Sequence, residues 1–308
     1  MTDQAPEYRA AEPERNQDSG DGEPLQSETL LRLNARVFME NRLAVAGVAI
    51  VIFFVLFCFV GPLFYHTNQV STNLNLENQP PSLRHLLGTD NVGYDLLGRL
   101  MAGGQTTITV GIVVAILATT FGVIWGAVAG FAGGLLDSFM MRVVDTLLAV
   151  PTLFLLLFLA TIFEPNELLL IIVIAGIAWL MPSRLIRAET LTVRTRAYVE
   201  SAVVQGAGST RIILRHLIPN ALGTIVVNAT FQVADAVLTV AALSFLGLGI
   251  PPPAANWGSM LSDGVNFIFL GYWWQVWAAG FCIVMLVIAF NFIGDGLRDA
   301  FDVRLQRR

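Results

Sequence analysis

The chain has 308 residues, of which 55% are hydrophobic and only 13% are charged, and its formal net charge is −5. A soluble domain carries roughly 25% charged residues, and several apolar runs here reach the length of about 20 residues that crosses a bilayer. The composition therefore excludes an ordinary soluble globule and predicts an all-α polytopic protein embedded in membrane lipid. No nucleic-acid partner is expected.

The basic residues narrow the chemistry further, because all 18 are arginine. Without lysine there is no Walker A phosphate loop and no Schiff-base mechanism, so any ATP must be bound by another polypeptide. The three histidines show no metal-ligand spacing, and the two cysteines fall in apolar runs, where we expect them to pack. We predict no catalytic residue, metal site or cofactor in this chain.

The whole net charge lies in the first 41 residues, which contain nine acidic residues and four arginines. Residues 1–28 are polar and have no apolar core of a signal peptide, so we predict a disordered acidic cytoplasmic tail. The remaining chain divides into an N-terminal region at 29–105 with the first span and an outer loop, a core domain of five spans at 106–296, and a cytoplasmic C-terminal tail at 297–308.

Six transmembrane helices are predicted from the apolar runs, and both chain termini are predicted to be cytoplasmic. Arginines cluster before the first span, between the fourth and fifth, and after the sixth, whereas the opposite side has only Arg84 and Arg99. By the positive-inside rule the arginine-rich side is cytoplasmic. The predicted spans are residues 43–64, 106–131, 142–163, 168–186, 221–248 and 274–293.

The outer loop at 65–105 contains Asp90, Asn91 and Asp95. Their spacing is not that of an EF-hand, and turn and capping roles explain them better than calcium binding. The residues that follow are predicted to form a short amphipathic stretch on the outer membrane interface. This stretch comprises Leu96, Leu97, Leu100 and Met101.

The second span carries Gly122, Gly126 and Gly130, with Gly134 continuing the spacing of four. Such a stripe lies on one helix face and lets another backbone approach closely. We predict helix packing there, with a sliding gate surface as the alternative. At the start of the third span, Asp145 is expected to pair with Arg142 at i, i+3 spacing.

The fifth span carries a stripe of polar residues on one narrow helix face. Because Asp235 sits near mid-span, where an unpaired carboxylate is costly, the stripe must face water or a partner helix. We interpret it as a water-filled translocation path in which Asp235 favours cationic groups, with a polar helix–helix contact as the alternative. The stripe contains Thr224, Asn228, Gln232, Asp235 and Thr239.

Between the fourth and fifth spans, residues 198–220 read YVESAVVQGAGSTRIILRHLIPN, a pattern typical of two short helices. A helix over 197–205 is too short to be stable alone and needs a partner surface. Glu200 offers that partner a carboxylate, and the small Ser201 and Ala202 let the helix sit deep in a groove. An ordinary interfacial helical hairpin is the alternative.

The break between the two predicted helices is at Gly206-Ala207-Gly208, where the glycines allow a turn. Ser209 or Thr210 is expected to cap the second helix. Pro219 is expected to end that helix before the fifth span.

These residues resemble the EAA loop, the surface by which the permease subunit of an ATP-binding-cassette importer binds its ATPase. The matching pattern is Glu200-Ser201-Ala202, then Gly206, then His216-Leu217-Ile218-Pro219, with Ser201 and His216 departing from the usual Ala and Ile. The resemblance implies that the ATPase docks on Tyr198, Glu200, Ser201, Ala202, Gly206, Gly208 and Pro219.

Three further motifs, within a likeness over about 38–305, resemble the C-type permease subunits of dipeptide, oligopeptide and nickel importers. The first is HLLGTD at 85–90 with Gly93, Asp95 and Arg99. The second is SFLGLG at 244–249 with Pro252 and Trp257-Gly258, and the third is NFIGDGLRDAFDVR at 291–304.

This resemblance implies a type I importer fold in a bacterial plasma membrane and a non-enzymatic transport role, with di- or oligopeptides as the cargo. It also implies a second homologous permease subunit, two ATP-binding subunits or domains that hold ATP and Mg²⁺, and an extracytoplasmic substrate-binding protein. Nickel or another small solute is the alternative cargo. A stand-alone proton-coupled transporter would predict internal repeats, which the sequence lacks, and a membrane enzyme would need a catalytic set that the 65–105 loop lacks.

Overall fold

A computed structural model describes residues 30–162 and 166–306 of the chain. Within those ranges the protein is helical and contains no strand, which confirms the all-α prediction. The tail predicted at 1–28, the turn at 163–165 and the last two residues lie outside the described residues. The α-helices are α1 Leu30–Glu40, α2 Arg42–Val55, α3 Gly61–Phe64, α4 Leu96–Ala132, α5 Gly134–Leu148, α6 Thr152–Ile162, α7 Glu167–Ala178, α8 Leu180–Arg194, α9 Ala197–Val204, α10 Ser209–Ile212, α11 Ile218–Leu243, α12 Trp257–Val265 and α13 Trp274–Gln306.

Among the described residues, five continuous helical stretches are long and apolar enough to cross a membrane. A bent pair of helices, α5 and α6, makes a sixth candidate. The prediction of six spans is therefore confirmed if this pair counts as one span. The five stretches are Arg42–Phe64, Leu96–Ala132, Glu167–Arg194, Ser209–Leu248 and Trp274–Phe301.

The third predicted span is not one straight helix. Its two halves, Gly134–Leu148 and Thr152–Leu159, meet at 81°. Pro151 lies in the break, where it lacks an N–H and disfavours helical geometry for the residue before it. An unbroken helix over 142–163 was therefore a wrong expectation.

Helix α4 begins at Leu96, well before the predicted start of the second span at 106. The Asp95 carboxylate caps it by accepting from the Gly98 backbone N–H at 2.9 Å. Leu96, Leu100 and Met101 are buried, so the predicted interfacial amphipathic stretch is instead the buried first turns of α4. With 37 residues, α4 is about 55 Å long, which exceeds the roughly 30 Å of bilayer hydrocarbon.

The glycine stripe of α4 lies against α8, the helix with which α4 makes its most extensive contact. A Cβ added at Gly122 would lie 2.7 Å from the Pro182 Cβ, and one at Gly130 would lie 2.8 Å from the Thr190 Cβ. At Gly126 the carbonyl oxygen of Ser183 leaves no room for a Cβ. The two backbones are therefore close enough to make α4 and α8 a single packed unit.

At the opposite end of the bundle from α9, the segment between α3 and α4 folds back on Asp95. Tyr65 donates its hydroxyl to the Asp95 carboxylate at 2.9 Å, and His85 Nδ1 lies 2.8 Å from the same oxygen. Burial and the Asp95 carboxylate raise the pKa of Tyr65 to about 12, so the phenol remains a donor. Gln275 on α13 reaches the segment by donating to Asn78 at 2.7 Å.

Helix α13 continues through Gln306, although the sixth span was expected to end at 293 and a tail to begin at 297. Its membrane-length apolar stretch runs Trp274–Phe301. The free cysteines Cys58 and Cys282 are both buried in one hydrophobic core with α4 and α12 residues, where they pack as small apolar side chains.

Candidate functional site

Helix α9 lies between the end of α8 and the stretch that leads into α11, and one buried apolar side chain holds it in place. Val199 is 0% exposed and packs in a small hydrophobic cluster with Val193 of α8, Ile212 of α10 and Leu217. An eight-residue helix is not stable in isolation, so this cluster fixes its position. The position of α9 therefore follows that of α8 and of the helix that enters α11.

The face of α9 away from that anchor is uncovered. Tyr198 and Val203 are exposed, and Val204 is 87% exposed. Glu200 and Ser201 are exposed beside them, whereas Ala202 is half-buried. An apolar patch with a carboxylate at its edge, on a short helix at one end of a membrane bundle, is a surface suited to a protein partner.

The end of α9 is a Schellman motif, which explains the glycine at 206. Gly206 has a φ of +78°, its N–H donates to Val203 at 2.9 Å, and the Ala207 N–H donates to Ala202 at 3.0 Å. These two hydrogen bonds define the motif, and glycine takes the left-handed conformation without strain. The turn therefore depends on the backbone conformation of Gly206.

The second helix of the loop differs from the prediction at both ends. Its N-cap is Gly208 with no side-chain hydrogen bond, so neither Ser209 nor Thr210 caps it. Pro219 does not end it either, because it occupies the first turn of α11, where a missing N–H is tolerated. A π-helical turn at Ile213–Leu217 joins α10 to α11, so the membrane-length stretch Ser209–Leu248 continues from α10 into α11.

Helix α8 connects α9 to the rest of the bundle through arginines. Arg187 makes a two-point ion pair with Asp137 of α5, and Arg194 donates to the Gly130 carbonyl of α4 at 3.5 Å. Arg184 pairs with Asp145. The prediction that Asp145 pairs with Arg142 was therefore wrong, because the packing of α5 against α8 brings Arg184 to Asp145.

The polar stripe on α11 is divided by the fold. Gln232 is buried and donates its amide to the Ala178 carbonyl at 3.1 Å, while Asp235 is exposed. Thr239 donates to the Asp235 carbonyl at 2.7 Å within the helix. The half-buried Asn228 has a side-chain oxygen without a partner among the described residues. Gln232 thus makes an internal helix contact, and Asp235 points off the surface of this chain.

The described residues form neither a metal centre nor a calcium loop. Among the described residues no group of three His, Cys, Asp or Glu side chains could hold a metal ion. In the outer segment, Asp90 accepts the N–H groups of Val92 at 3.0 Å and Tyr94 at 2.8 Å, as a turn-forming aspartate does. Sequence reasoning missed the Asp137–Arg187 pair, because residues 50 positions apart give no periodic signal.

Comparison with known proteins places the chain among transport components. The family model described as "Binding-protein-dependent transport system inner membrane component" matches residues 122–307. A second model, "N-terminal TM domain of oligopeptide transport permease C", matches residues 29–81.

Curated relatives match along almost the whole chain. The "Oligopeptide transport system permease protein OppC" of Bacillus subtilis is 37% identical over 94% of this chain and 95% of its own length. The protein of the same name from Haemophilus influenzae is 39% identical over 90% of both chains. The "Dipeptide transport system permease protein DppC" of Bacillus subtilis is 37% identical over 88% of this chain and 85% of its own.

Proposed function

The chain belongs to the family of binding-protein-dependent transport system inner membrane components, and from that membership we propose that it is one permease subunit of an ATP-driven importer of di- or oligopeptides. The observation that carries the proposal is the exposed face of α9 between two rigid membrane helices. The relatives described above are named for oligopeptides and dipeptides, which favours a peptide cargo over nickel.

The partners are proposed from two features of this chain, the absence of lysine and the exposed face of α9. ATP and Mg²⁺ belong to two ATP-binding subunits or domains, since this chain has no lysine for a phosphate loop. One of them docks on α9, with Tyr198, Val203 and Val204 as the apolar contact and Glu200 as the charged one. A second permease subunit completes the path, and an extracytoplasmic binding protein delivers the peptide.

Force is transmitted through contacts that leave α9 little freedom. The Val199 cluster links α9 to α8 and to the helix that enters α11. Helix α8 is packed on α4 through the glycine stripe and tied to α5 by the Asp137–Arg187 pair. A displacement of α9 by ATPase closure therefore moves several membrane helices together, because packed helices shift as rigid bodies.

The path itself is proposed to run along the exposed side of α11. An ionised Asp235 facing lipid would be costly, whereas a surface shared with the second permease subunit can stay hydrated. Asn228 and Thr239 extend this polar face, while Gln232 supports it from behind. The substrate is moved past these residues without any covalent step.

The proposed orientation puts α9 and both termini in the cytoplasm. Arginines concentrate at the α9 end of the described bundle, with Arg184, Arg187, Arg194 and Arg196 close to that helix. The positive-inside rule supports this arrangement, and it places the segment that folds on Asp95 outside the plasma membrane.

The proposal is tested by purifying the chain with its second permease subunit and its ATPase subunits, adding the binding protein, and measuring ATP-dependent uptake of tri-alanine into proteoliposomes. We expect Glu200→Gln to reduce the amount of ATPase that co-purifies and to reduce uptake in proportion. The matched control is Glu167→Gln, which removes an exposed carboxylate on the other side of the membrane and should change neither. Uptake that persists without nucleotide, or without any ATPase subunit, would disprove the proposal.

A further inference from the structure

A cavity of about 310 Å³ lies at the end of the bundle opposite α9, which is the outer end in the proposed orientation. It sits between the first turns of α4, the π-helical turn Ser244–Leu248 that follows α11, and α12. The loop at 250–254 forms one wall. Its volume is at the lower end of the range of about 300–1,000 Å³ typical of small-molecule sites.

The loop that forms one wall of this cavity is poor in hydrogen-bond donors. The loop contains Pro251, Pro252 and Pro253 in succession, and a proline contributes a carbonyl but no N–H. The wall made by this loop therefore favours a ligand that donates several hydrogen bonds.

The charges around the cavity favour a cation. Asp263 and Arg99 line it, and Asp90 joins both of them in lining a small adjoining cleft, so the cavity and the cleft together carry one excess negative charge. Arg99 is only 8% exposed, and its guanidinium already has partners. It donates to the Pro253 carbonyl at 2.7 Å and lies over the Tyr94 ring, 4.4 Å from its centroid.

Burial raises the pKa of the Asp90 carboxyl despite the N–H groups it accepts and the nearby Arg99 charge. Burial also raises the pKa of Asp263; Arg99 opposes that rise and Asp90 adds to it. The charge of the half-buried Asp90 is thus compensated only in part, whereas Asp263 is exposed and can reach a ligand. A positive ligand in the cavity would supply the missing compensation.

A buried hydroxyl at the cavity wall gives an independent indication of a ligand. Ser244 is 2% exposed, and its Oγ has no hydrogen-bond partner among the described residues. By contrast, the hydroxyls of Thr107 and Thr239 donate to a carbonyl of their own helix, at 2.8 Å and 2.7 Å. Buried polar groups are almost always paired, so Ser244 is the group that a ligand in this cavity would satisfy.

We propose that this cavity binds a primary ammonium group, as carried by the N-terminus of a peptide, before the peptide enters the translocation path. The ammonium has three donors, which match the Asp263 carboxylate, the Ser244 hydroxyl and the loop carbonyls. The inference rests on the proposed peptide transport and adds a binding site to it. It differs from the Asp235 region, which lies earlier in the chain, within α11.

The local charge is tested by thiol labelling of Ser244→Cys in the assembled transporter, with a cationic and an anionic methanethiosulfonate reagent of similar size. We expect the cationic reagent to react faster by on the order of tenfold. The parent protein is the background control, because Cys58 and Cys282 lie in a hydrophobic core and do not line this cavity, whereas Ser244 does. Adding Asp263→Asn to Ser244→Cys should remove most of the preference, while equal rates in Ser244→Cys itself would overturn the inference.

The ligand is tested by protection of Ser244→Cys from labelling. Tri-alanine should slow labelling, and N-acetyl-tri-alanine should not, because acetylation removes the ammonium. An N-acetylated peptide with one lysine separates the two sources of ammonium: protection by it extends the site to side-chain amines, and no protection confines the site to the N-terminus. Equal protection by tri-alanine and its acetylated form, or by neither, would overturn the inference.

These measurements are made on a complex that hydrolyses ATP and accumulates tri-alanine before the thiol is introduced. If that parent complex accumulates no peptide, the proposed function itself fails. If it accumulates peptide but Ser244→Cys shows neither charge preference nor protection, only the ammonium site is lost.

Discussion

The guanidinium of Arg187 donates to both carboxylate oxygens of Asp137, with Nε–Oδ1 and Nη2–Oδ2 distances of 2.6 Å each. This two-point contact joins α8 to α5. Bidentate arginine–carboxylate pairs fix orientation as well as distance. Because α8 leads directly into α9, this pair connects the proposed docking helix to α5, which lies well before it in the chain.

Asp137→Asn should uncouple ATP hydrolysis from transport. The amide keeps the shape but loses the charge and one acceptor, so α5 no longer follows α8 closely. We expect the number of peptides imported per ATP hydrolysed to fall by at least about fivefold, the lower end of usual coupling energies, while ATPase subunits still co-purify. The measurement is ATPase rate and uptake on the same proteoliposomes.

The matched control for that variant is Asp145→Asn. Asp145 and its partner Arg184 are 50% and 47% exposed, and exposed ion pairs contribute little. Similar losses of coupling in the two variants would mean that charge on α5, rather than the two-point pair, is responsible.

Gly206→Ala should weaken ATPase docking through the backbone alone. An added Cβ at Gly206 meets nothing within 4 Å, but the φ of +78° costs a residue with a side chain about 1–2 kcal/mol. We expect less ATPase to co-purify, with partial recovery in Gly206→Asn, because Asn tolerates this conformation better. Gly208→Ala is the control, since Gly208 has an ordinary φ of −66° and equally open surroundings. An equal loss in both alanine variants would contradict this explanation.

Asp235→Asn should reduce uptake and leave the complex assembled. The exposed carboxylate is proposed to attract cationic groups along the path, so removing its charge should slow transport of a peptide with a free N-terminus by about tenfold. Asp235→Glu keeps the charge and should retain most of the uptake. The measurement is initial uptake rate at equal amounts of purified complex, and normal transport by Asp235→Asn would contradict the role assigned to it.

Gly126→Ala should destabilise the bundle. Its Cβ would overlap the Ser183 carbonyl and lie 2.9 Å from the Arg187 backbone nitrogen, so α8 must move away from α4 at a cost of about 1–3 kcal/mol. The result expected in a thermal unfolding measurement is a lower Tm. Gly176→Ala is the control, because a Cβ there meets nothing within 4 Å and alanine is the better helix former. An unchanged Tm for Gly126→Ala would contradict the close packing of α4 against α8.

Apolar run lengths predicted the membrane-spanning helices well because the bilayer imposes a minimum length on every span. The same run lengths gave wrong helix ends where a helix continues beyond the hydrocarbon layer. Leu96 and Leu100 belong to α4 because they bury against α2 and α12 residues, a contact that no local pattern reports. Pro219 illustrates a different failure, since proline either ends a helix or begins one, and only the observed π-helical turn distinguishes the two.

Composition and spacing were sufficient to identify a polytopic helical protein, its six apolar segments and the Glu200-to-Pro219 loop, because each of these is a local property of the chain. Tertiary packing alone decided which charges meet. Asp145 contacts Arg184 rather than Arg142, and Arg187 pairs with Asp137. Ser244 and Asp263 line the same cavity. The physical reason is that such pairs depend on where separate helices cross, and crossing is set by the summed fit of many side chains rather than by any neighbour in sequence.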